Sequence, residues 1–233
     1  MLELKTVFID IDDTLWWFTE NSKISFRHVF DEFNMGGLCS YEQFHDHYIV
    51  KNQELWRKYH HGEIDKDFLN HERFRYTLQQ CGYGGDCLEL GDRMNEAYLD
   101  YLAGLPATVP GAKELLEYLN GKGYDVNTLS NGFAGLQQRK LRSGGLDHLV
   151  HRNVLSDDCG ITKPLPGIFE YAMQVCGAMP ETTVMIGDDP DADMAGAHAV
   201  GWKTIYFNLK HLPIEKGLAD HVVENLLDIK QIL

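Results

Sequence analysis

The feature that most constrains this chain lies near its start. Thr6, Val7, Phe8 and Ile9 are β-branched or apolar without alternation, the pattern of a strand buried on both faces of a parallel sheet. The run breaks at once into Asp10-Ile11-Asp12-Asp13-Thr14. A carboxylate at the end of a buried strand is costly to desolvate unless something compensates. A hard cation is the simplest compensation, because Mg²⁺ takes one or two carboxylates and keeps its waters and a substrate phosphate. The strand's C-terminal end is also where open α/β sheets place their ligands. Asp10 and Asp12, two apart, point the same way in extended chain. Such a pair can divide labour between a nucleophile and a proton carrier.

The rest of the chain changes character twice. From Trp17 to Ala103 the pattern is helical, with no convincing strand. Ile24, Phe26, Val29, Phe30 and Phe33 share a helical spacing. Ser40-x-x-Gln43 has the form of a capping box opening a helix to about Tyr59. Asp65 starts a third helix and Asp86 a fourth. After Pro106, strands alternate with helices. Strands are expected at Tyr124–Leu129, Asn153–Leu155, Thr183–Ile186, Lys203–Phe207 and His221–Glu224. Alternation of this kind implies right-handed crossovers and a parallel sheet. The expected architecture is α/β: a Rossmann-like parallel sheet core of residues 1–16 and 104–233, with an inserted α-helical cap of residues 17–103 lying over its active edge.

Three more core segments carry polar groups just past expected strands. They are Ser130-Asn131-Gly132, Thr162-Lys163-Pro164, and Gly187-Asp188-Asp189-Pro190-Asp191-Ala192-Asp193. In a parallel sheet these ends converge with Asp10 and Asp12 on one edge. Two carboxylates, a hydroxyl with backbone donors, one lysine and a second acidic cluster make a kit for phosphoryl transfer. Asp189 is placed to hold a metal-bound water or to close a solvated turn.

Composition narrows the partners. A formal net charge of −14 argues against nucleic acid, whose binding is dominated by phosphate neutralisation. An anionic substrate therefore needs a site that reverses the global field locally. No apolar run approaches the ~20 residues of a membrane helix. Five scattered cysteines, with no zinc-finger spacing, suit reduced thiols in a cytoplasm. The N-terminus enters the first strand almost at once, which leaves no place for a signal peptide. The expectation is a cytoplasmic monomer or weak homodimer acting on a small-molecule phosphate ester, with no membrane partner.

The four segments, in order, resemble the four motifs of the haloacid dehalogenase superfamily. Asp10/Asp12/Thr14 match the first, Ser130 the second, Lys163-Pro164 the third, and Gly187-Asp188 with Asp193 the fourth. Asp12 stands where the phosphatase branch carries its second aspartate. The resemblance implies that Asp10 attacks phosphorus to form an aspartyl phosphate. It implies that Asp12 protonates the leaving alcohol and then takes a proton from water, in surroundings that raise its pKa. Mg²⁺ would be held by Asp10, the Asp12 carbonyl and Asp188. Ile11, Ser130, Asn131 and Lys163 would bind phosphate oxygens, with Ser130 and Lys163 counted in the catalytic set. Thr14, Asp189 and Asp193 would support that shell, Asp193 by orienting Lys163 or the metal.

A finer resemblance runs through Asn52-x-x-Leu55-Trp56-x-x-Tyr59-x-x-Gly62, Arg73-Phe74 and Ser130-Asn131-Gly132-Phe133-x-x-Leu136-Gln137-Gln138. It is similar to the pyrimidine 5′-nucleotidase branch, and implies hydrolysis of nucleoside 5′-monophosphates with Phe18, Asn52 and Trp56 as specificity candidates. The alternatives are a phosphatase of a sugar phosphate or other small metabolite, a haloacid dehalogenase, and a non-catalytic regulatory module on the same fold.

Overall fold

A computed structural model describes residues 3–233 except 214 and 218. In chain order the elements are β1 (Thr6–Ile9), α1 (Phe18–Glu32), α2 (Tyr41–His60), α3 (Lys66–Gln80), α4 (Cys87–Ala103), α5 (Ala112–Gly121), β2 (Asp125–Ser130), α6 (Ala134–Ser143) and β3 (Arg152–Leu155). There follow α7 (Ser156–Cys159), α8 (Pro166–Cys176), β4 (Thr183–Gly187), α9 (Gly196–Ala199), β5 (Lys203–Phe207) and β6 (His221–Val223). They form two compact units. One runs to Thr19 and resumes at Leu105; the other is Glu20–Gly104.

The first unit holds a six-stranded parallel sheet of order β3-β2-β1-β4-β5-β6. Each residue of β1 is buried, as its unbroken apolar run demands. Beneath the sheet Phe8 stacks on Trp202 at 4.7 Å between ring centroids, and Phe169 meets the same indole edge-on at 5.4 Å. Register fixes the active edge. Ile9 pairs with Thr128 of β2 and Ile186 of β4. The residues just past these positions therefore emerge level with one another. Strand order reverses at β1, with β2 on one side and β4 on the other, and such a switch point opens a crevice for ligands.

Trp16 to Thr19 stay with this unit, where the sequence reading opens the insertion at 17. The reason is a set of hydrogen bonds within the unit. The Trp16 indole donates to the Leu105 carbonyl at 3.1 Å. The Trp17 amide donates to Ala107. Asp13, in a left-handed conformation with φ of 60°, accepts from the Thr19 amide and hydroxyl at 2.7 and 2.6 Å. Two further segments differ from expectation. Where the alternation after Pro106 calls for a helix past β4, the chain makes a wide turn over Pro190–Ala195, in which the Met194 amide reaches back five residues to Asp189, followed by the short α9. Asp157 and Asp158, in a segment where no helix is expected from the sequence, lie in α7 and accept from the Ala134 and Leu155 amides.

The second unit contains helices α1 from Glu20, α2, α3 and α4 and, among its described residues, no strand. Ser40 and Gln43 form the reciprocal capping box at the start of α2, and Asp65 and Asp86 cap α3 and α4. The core is aromatic. Phe26 lies 4.7 Å from Tyr48 and 5.9 Å from Phe74, and Tyr98 closes the cluster at 5.8 Å from Phe74. Asn52 and Trp56 sit one turn apart on α2, both partly buried. No helix among the described residues is long and apolar enough to cross a membrane.

Phe26 is the hub of that aromatic cluster. Phe26→Ala should remove about 3–5 kcal/mol of stability, the usual cost of emptying a buried aromatic site. Denaturant titration followed by far-UV circular dichroism measures it. A cost below about 1 kcal/mol would mean that the cluster does not hold the insertion together.

Candidate active site

Four loops at the C-terminal edge of the sheet assemble the site. Asp10 follows β1, its amide donating to the Ile186 carbonyl of β4 at 2.9 Å. Ser130 ends β2, Lys163 follows α7, and Asp188 follows β4. Asp10, Ser130, Lys163 and Asp193 are all buried.

Lys163 is the centre of charge. Its ammonium has three protons to donate and places them on Asp10 Oδ1 at 2.7 Å, Asp193 Oδ1 at 2.6 Å and the Leu129 carbonyl at 2.8 Å. Burial works against its charge, but Asp10 and Asp193 outweigh burial and raise its pKa. The lysine is a fixed cation. Asn131 holds it from behind: Oδ1 accepts from the Lys163 amide at 2.7 Å and Nδ2 donates to the Lys163 carbonyl at 2.9 Å. The amide of Asn131 thus ties the β2 loop to the Lys163 loop.

Carboxylate oxygens of Asp10, Asp188 and Asp193 lie within 4.8 Å of one another. Burial above all, with repulsion from neighbouring aspartates and against the attraction of Lys163 and Lys210, pushes Asp10 and Asp188 up to about 7 and Asp193 to about 6. Lys163 serves Asp10 and Asp193. Lys210, beyond β5, reaches Asp188 Oδ2 at 3.1 Å and Asp13 Oδ2 at 3.5 Å. Oxygen-only donors carrying excess negative charge fit a hard cation such as Mg²⁺. Gly187 permits the cluster, because a Cβ there would strike the Asp193 carboxylate.

Asp12 has a different environment. Its carboxylate is outside that cluster and accepts from Lys140 Nζ at 2.7 and 3.0 Å and from Gln137 Nε2 at 2.9 Å. The carboxyl is thus faced by an ammonium and an amide. Gln137 Nε2 also donates to Ser130 Oγ at 2.7 Å, and the Gly132 amide donates to the same oxygen at 3.1 Å. The hydroxyl accepts twice, which leaves its one proton for another acceptor.

The remaining sequence candidates are placed as follows. Ile11 is buried and its carbonyl accepts from the Leu15 and Trp16 amides. Thr14 is buried, its Oγ1 without a partner among the described residues. Asp189 Oδ1 caps the Asp191 and Ala192 amides at 2.9 Å each, and its own amide donates to Asp193. Phe18 lies in the first unit, its ring centroid 5.2 Å from Lys140 Nζ. Asn52 and Trp56 belong to the second unit. Sequence reasoning missed Lys140 and Lys210. The spacing of Gln137 and Lys140, three apart on α6, was a usable signal, since such residues share a helix face. Lys210 had none, because a loop after a strand fixes no direction.

Comparison with known proteins bears on this geometry. Residues 4–201 match the family of haloacid dehalogenase-like hydrolases. The pyrimidine 5′-nucleotidase YjjG of Escherichia coli is 31% identical, over 97% of this chain and 96% of its own. The glyceraldehyde 3-phosphate phosphatase of Methanothermobacter thermautotrophicus is 30% identical, over 98% and 95%. The crystal structure of YfnB from Bacillus subtilis, bound to magnesium, superposes with a TM-score of 0.89 at 26% identity, covering 100% of this chain and 99% of that one.

The acidic cluster sets a pH dependence. Asp10 and Asp188 hold their protons more tightly in the folded chain, at about 7, than the roughly 4 of an unfolded aspartate. Their contribution to stability is full below about pH 4 and is lost as pH rises through about 7. A cation binds the deprotonated form and reverses that loss. The rise in Tm on adding Mg²⁺ to chelator-treated protein should therefore grow between about pH 5 and pH 8. A rise that shrinks over this window would contradict the assignment of these carboxylates as ligands.

Proposed function

Because the chain belongs to the haloacid dehalogenase-like hydrolase family, we propose that it is a Mg²⁺-dependent phosphomonoesterase working through an aspartyl phosphate on Asp10. The observation that carries the reading is the convergence of a buried Asp10, the Lys163 ammonium and the Ser130 hydroxyl beside a three-carboxylate cluster. Asp10 attacks phosphorus as the alcohol leaves, and a water then frees the phosphate; each step is easier than direct displacement. Asp12 gives its proton to the leaving oxygen and later takes one from the water. Ser130, Lys163 and the amides at Ile11 and Asn131 bind the phosphoryl oxygens, where preorganised donors act most strongly. Mg²⁺, held by Asp10, the Asp12 carbonyl and Asp188, would supply the positive charge between nucleophile and phosphate that this acidic chain lacks. Without such a cation, two carboxylates ~4 Å apart repel by about 4 kcal/mol at an effective dielectric near 20.

Asp10→Asn should leave the fold intact and abolish turnover, since the amide is nearly isosteric but a poor nucleophile. A residual rate above about a tenth of wild type would sink the covalent mechanism.

For the leaving group we propose a pyrimidine nucleoside 5′-monophosphate. The resemblance to YjjG over nearly the full chain and the aromatic richness of the insertion support it, because aromatic faces stack on a base for ~1–3 kcal/mol. The similarity to a glyceraldehyde 3-phosphate phosphatase keeps a small sugar phosphate as the second reading. In a panel of phosphate esters, kcat/KM for uridine or thymidine monophosphate should exceed that for hexose and triose phosphates by at least about tenfold, roughly 1.4 kcal/mol. Trp56→Ala should narrow that gap. A panel led by triose or hexose phosphates would overturn the nucleotidase reading and leave the phosphatase chemistry standing.

A further inference from the structure

Lys140 is a buried lysine that none of the motifs uses. Its side chain is 2% exposed, whereas that of its partner Asp12 is 31% exposed. Among the described residues Asp12 is the only carboxylate that pairs with it, through contacts of 2.7 and 3.0 Å to the two oxygens. The indole of Trp16 and the ring of Phe18 lie 5.0 and 5.2 Å from the ammonium, close enough for cation–π attraction. Those rings wall in the nitrogen and leave its polar side facing Asp12. Gln137, one turn back on α6, adds a third donor to Asp12 and hydrogen-bonds Ser130 as well. Gly132 makes room for that amide, since a Cβ there would strike it.

A charged group this buried is costly unless paired. The pair therefore constrains both partners: Lys140 stays under Asp12, and Asp12 keeps one orientation at the mouth of the site. An exposed aspartate without such contacts would sample several rotamers.

We propose that Lys140 is a positioning residue for Asp12, holding its carboxyl in line with the leaving oxygen of the ester. The proposal rests on the phosphomonoesterase reading and deepens it. In the step concerned, an Asp10 oxygen bonds to phosphorus and the bond from phosphorus to the ester oxygen breaks. That oxygen takes the proton from the Asp12 carboxyl, so the alcohol departs neutral and Asp12 is left a carboxylate. The oxygen that carries the proton retains a lone pair for a Lys140 N–H, so the contact survives both protonation states. Gln137 couples the same carboxyl to Ser130, so the proton donor and the phosphate-binding hydroxyl keep their separation.

Leaving-group dependence tests this and separates it from a merely structural role. A dinitrophenyl phosphate expels a stable phenolate and needs no proton. A nucleoside monophosphate or other alkyl phosphate expels an alkoxide and needs one. kcat/KM reports the steps up to departure of the alcohol, so the two esters are compared on that parameter. Lys140→Met should lower kcat/KM for the alkyl phosphate by about a hundredfold, within the usual range for general acid catalysis, and for the dinitrophenyl ester by about fivefold or less. The loss should appear in kcat more than in KM, and Lys140→Arg, which keeps the charge and the donors, should recover part of it. Activity on the activated ester also shows that the variant is folded. Equal losses on both esters, or no loss on either, overturn the assignment of Lys140 while the hydrolase reading stands. Wild-type protein that cleaves neither ester in Mg²⁺ overturns the phosphomonoesterase reading and this assignment with it.

Discussion

The Lys163 ammonium, buried between Asp10 and Asp193, is the interaction on which the active edge depends. A parallel sheet offers one edge to all its strand ends, and this chain places acids on two of the central ones. Left alone, those acids would repel and take up protons. Lys163 holds two of them as a compact pair and is itself fixed by Asn131 and the Leu129 carbonyl. Removing one member of such a buried pair costs about 3–5 kcal/mol, because the other is left uncompensated. The remaining excess charge at Asp188 is met in part by Lys210 and leaves the cluster suited to a divalent ion. With such an ion in place, an acidic chain could offer an anionic substrate a locally positive site without changing its overall sign.

Much of this was legible in the residues. Thr6–Ile9 announce a doubly buried strand, because nothing else explains four apolar or β-branched residues followed by three acids in four. Ser40 and Gln43 state the start of α2, because a capping box is a local exchange of hydrogen bonds. The alternation after Pro106 gives parallel strands whose ends meet, which groups Asp10, Ser130, Lys163 and Asp188 on one edge. What the sequence hides is what tertiary packing decides. Lys140 reads as a surface lysine on a polar helix, and only the rings of Trp16 and Phe18 make it a buried one. Nothing in the sequence marks the partner of Asp13, whose left-handed backbone turns it onto Thr19. Trp17 to Thr19 read as the start of the insertion, because the Trp17 amide is tied to a residue ninety positions away, Ala107, and Thr19 to the left-handed turn at Asp13.

The two acids of the first motif thus have separate supports, which would let one strand end run the two kinds of chemistry proposed for it. Asp10 belongs to Lys163 and the acidic cluster, a setting that suits a metal-assisted nucleophile. Asp12 belongs to Lys140 and Gln137, a setting that suits a proton carrier held to one direction. The supports of Asp12 come from α6, whereas Lys163 stands in the loop between α7 and α8. Selectivity for the alcohol is a separate matter, which the proposed phosphate-binding residues do not decide.

The central claim is the covalent step on Asp10, and trapping it is the direct measurement. Protein mixed with Mg²⁺ and an activated phosphate ester, quenched within one turnover and reduced with borohydride, converts an aspartyl phosphate to homoserine. Peptide mass spectrometry should place homoserine at position 10 in the wild type and nowhere in Asp10→Asn. Full hydrolysis with an unmodified Asp10 at every quench time, or homoserine at another aspartate, would contradict the account.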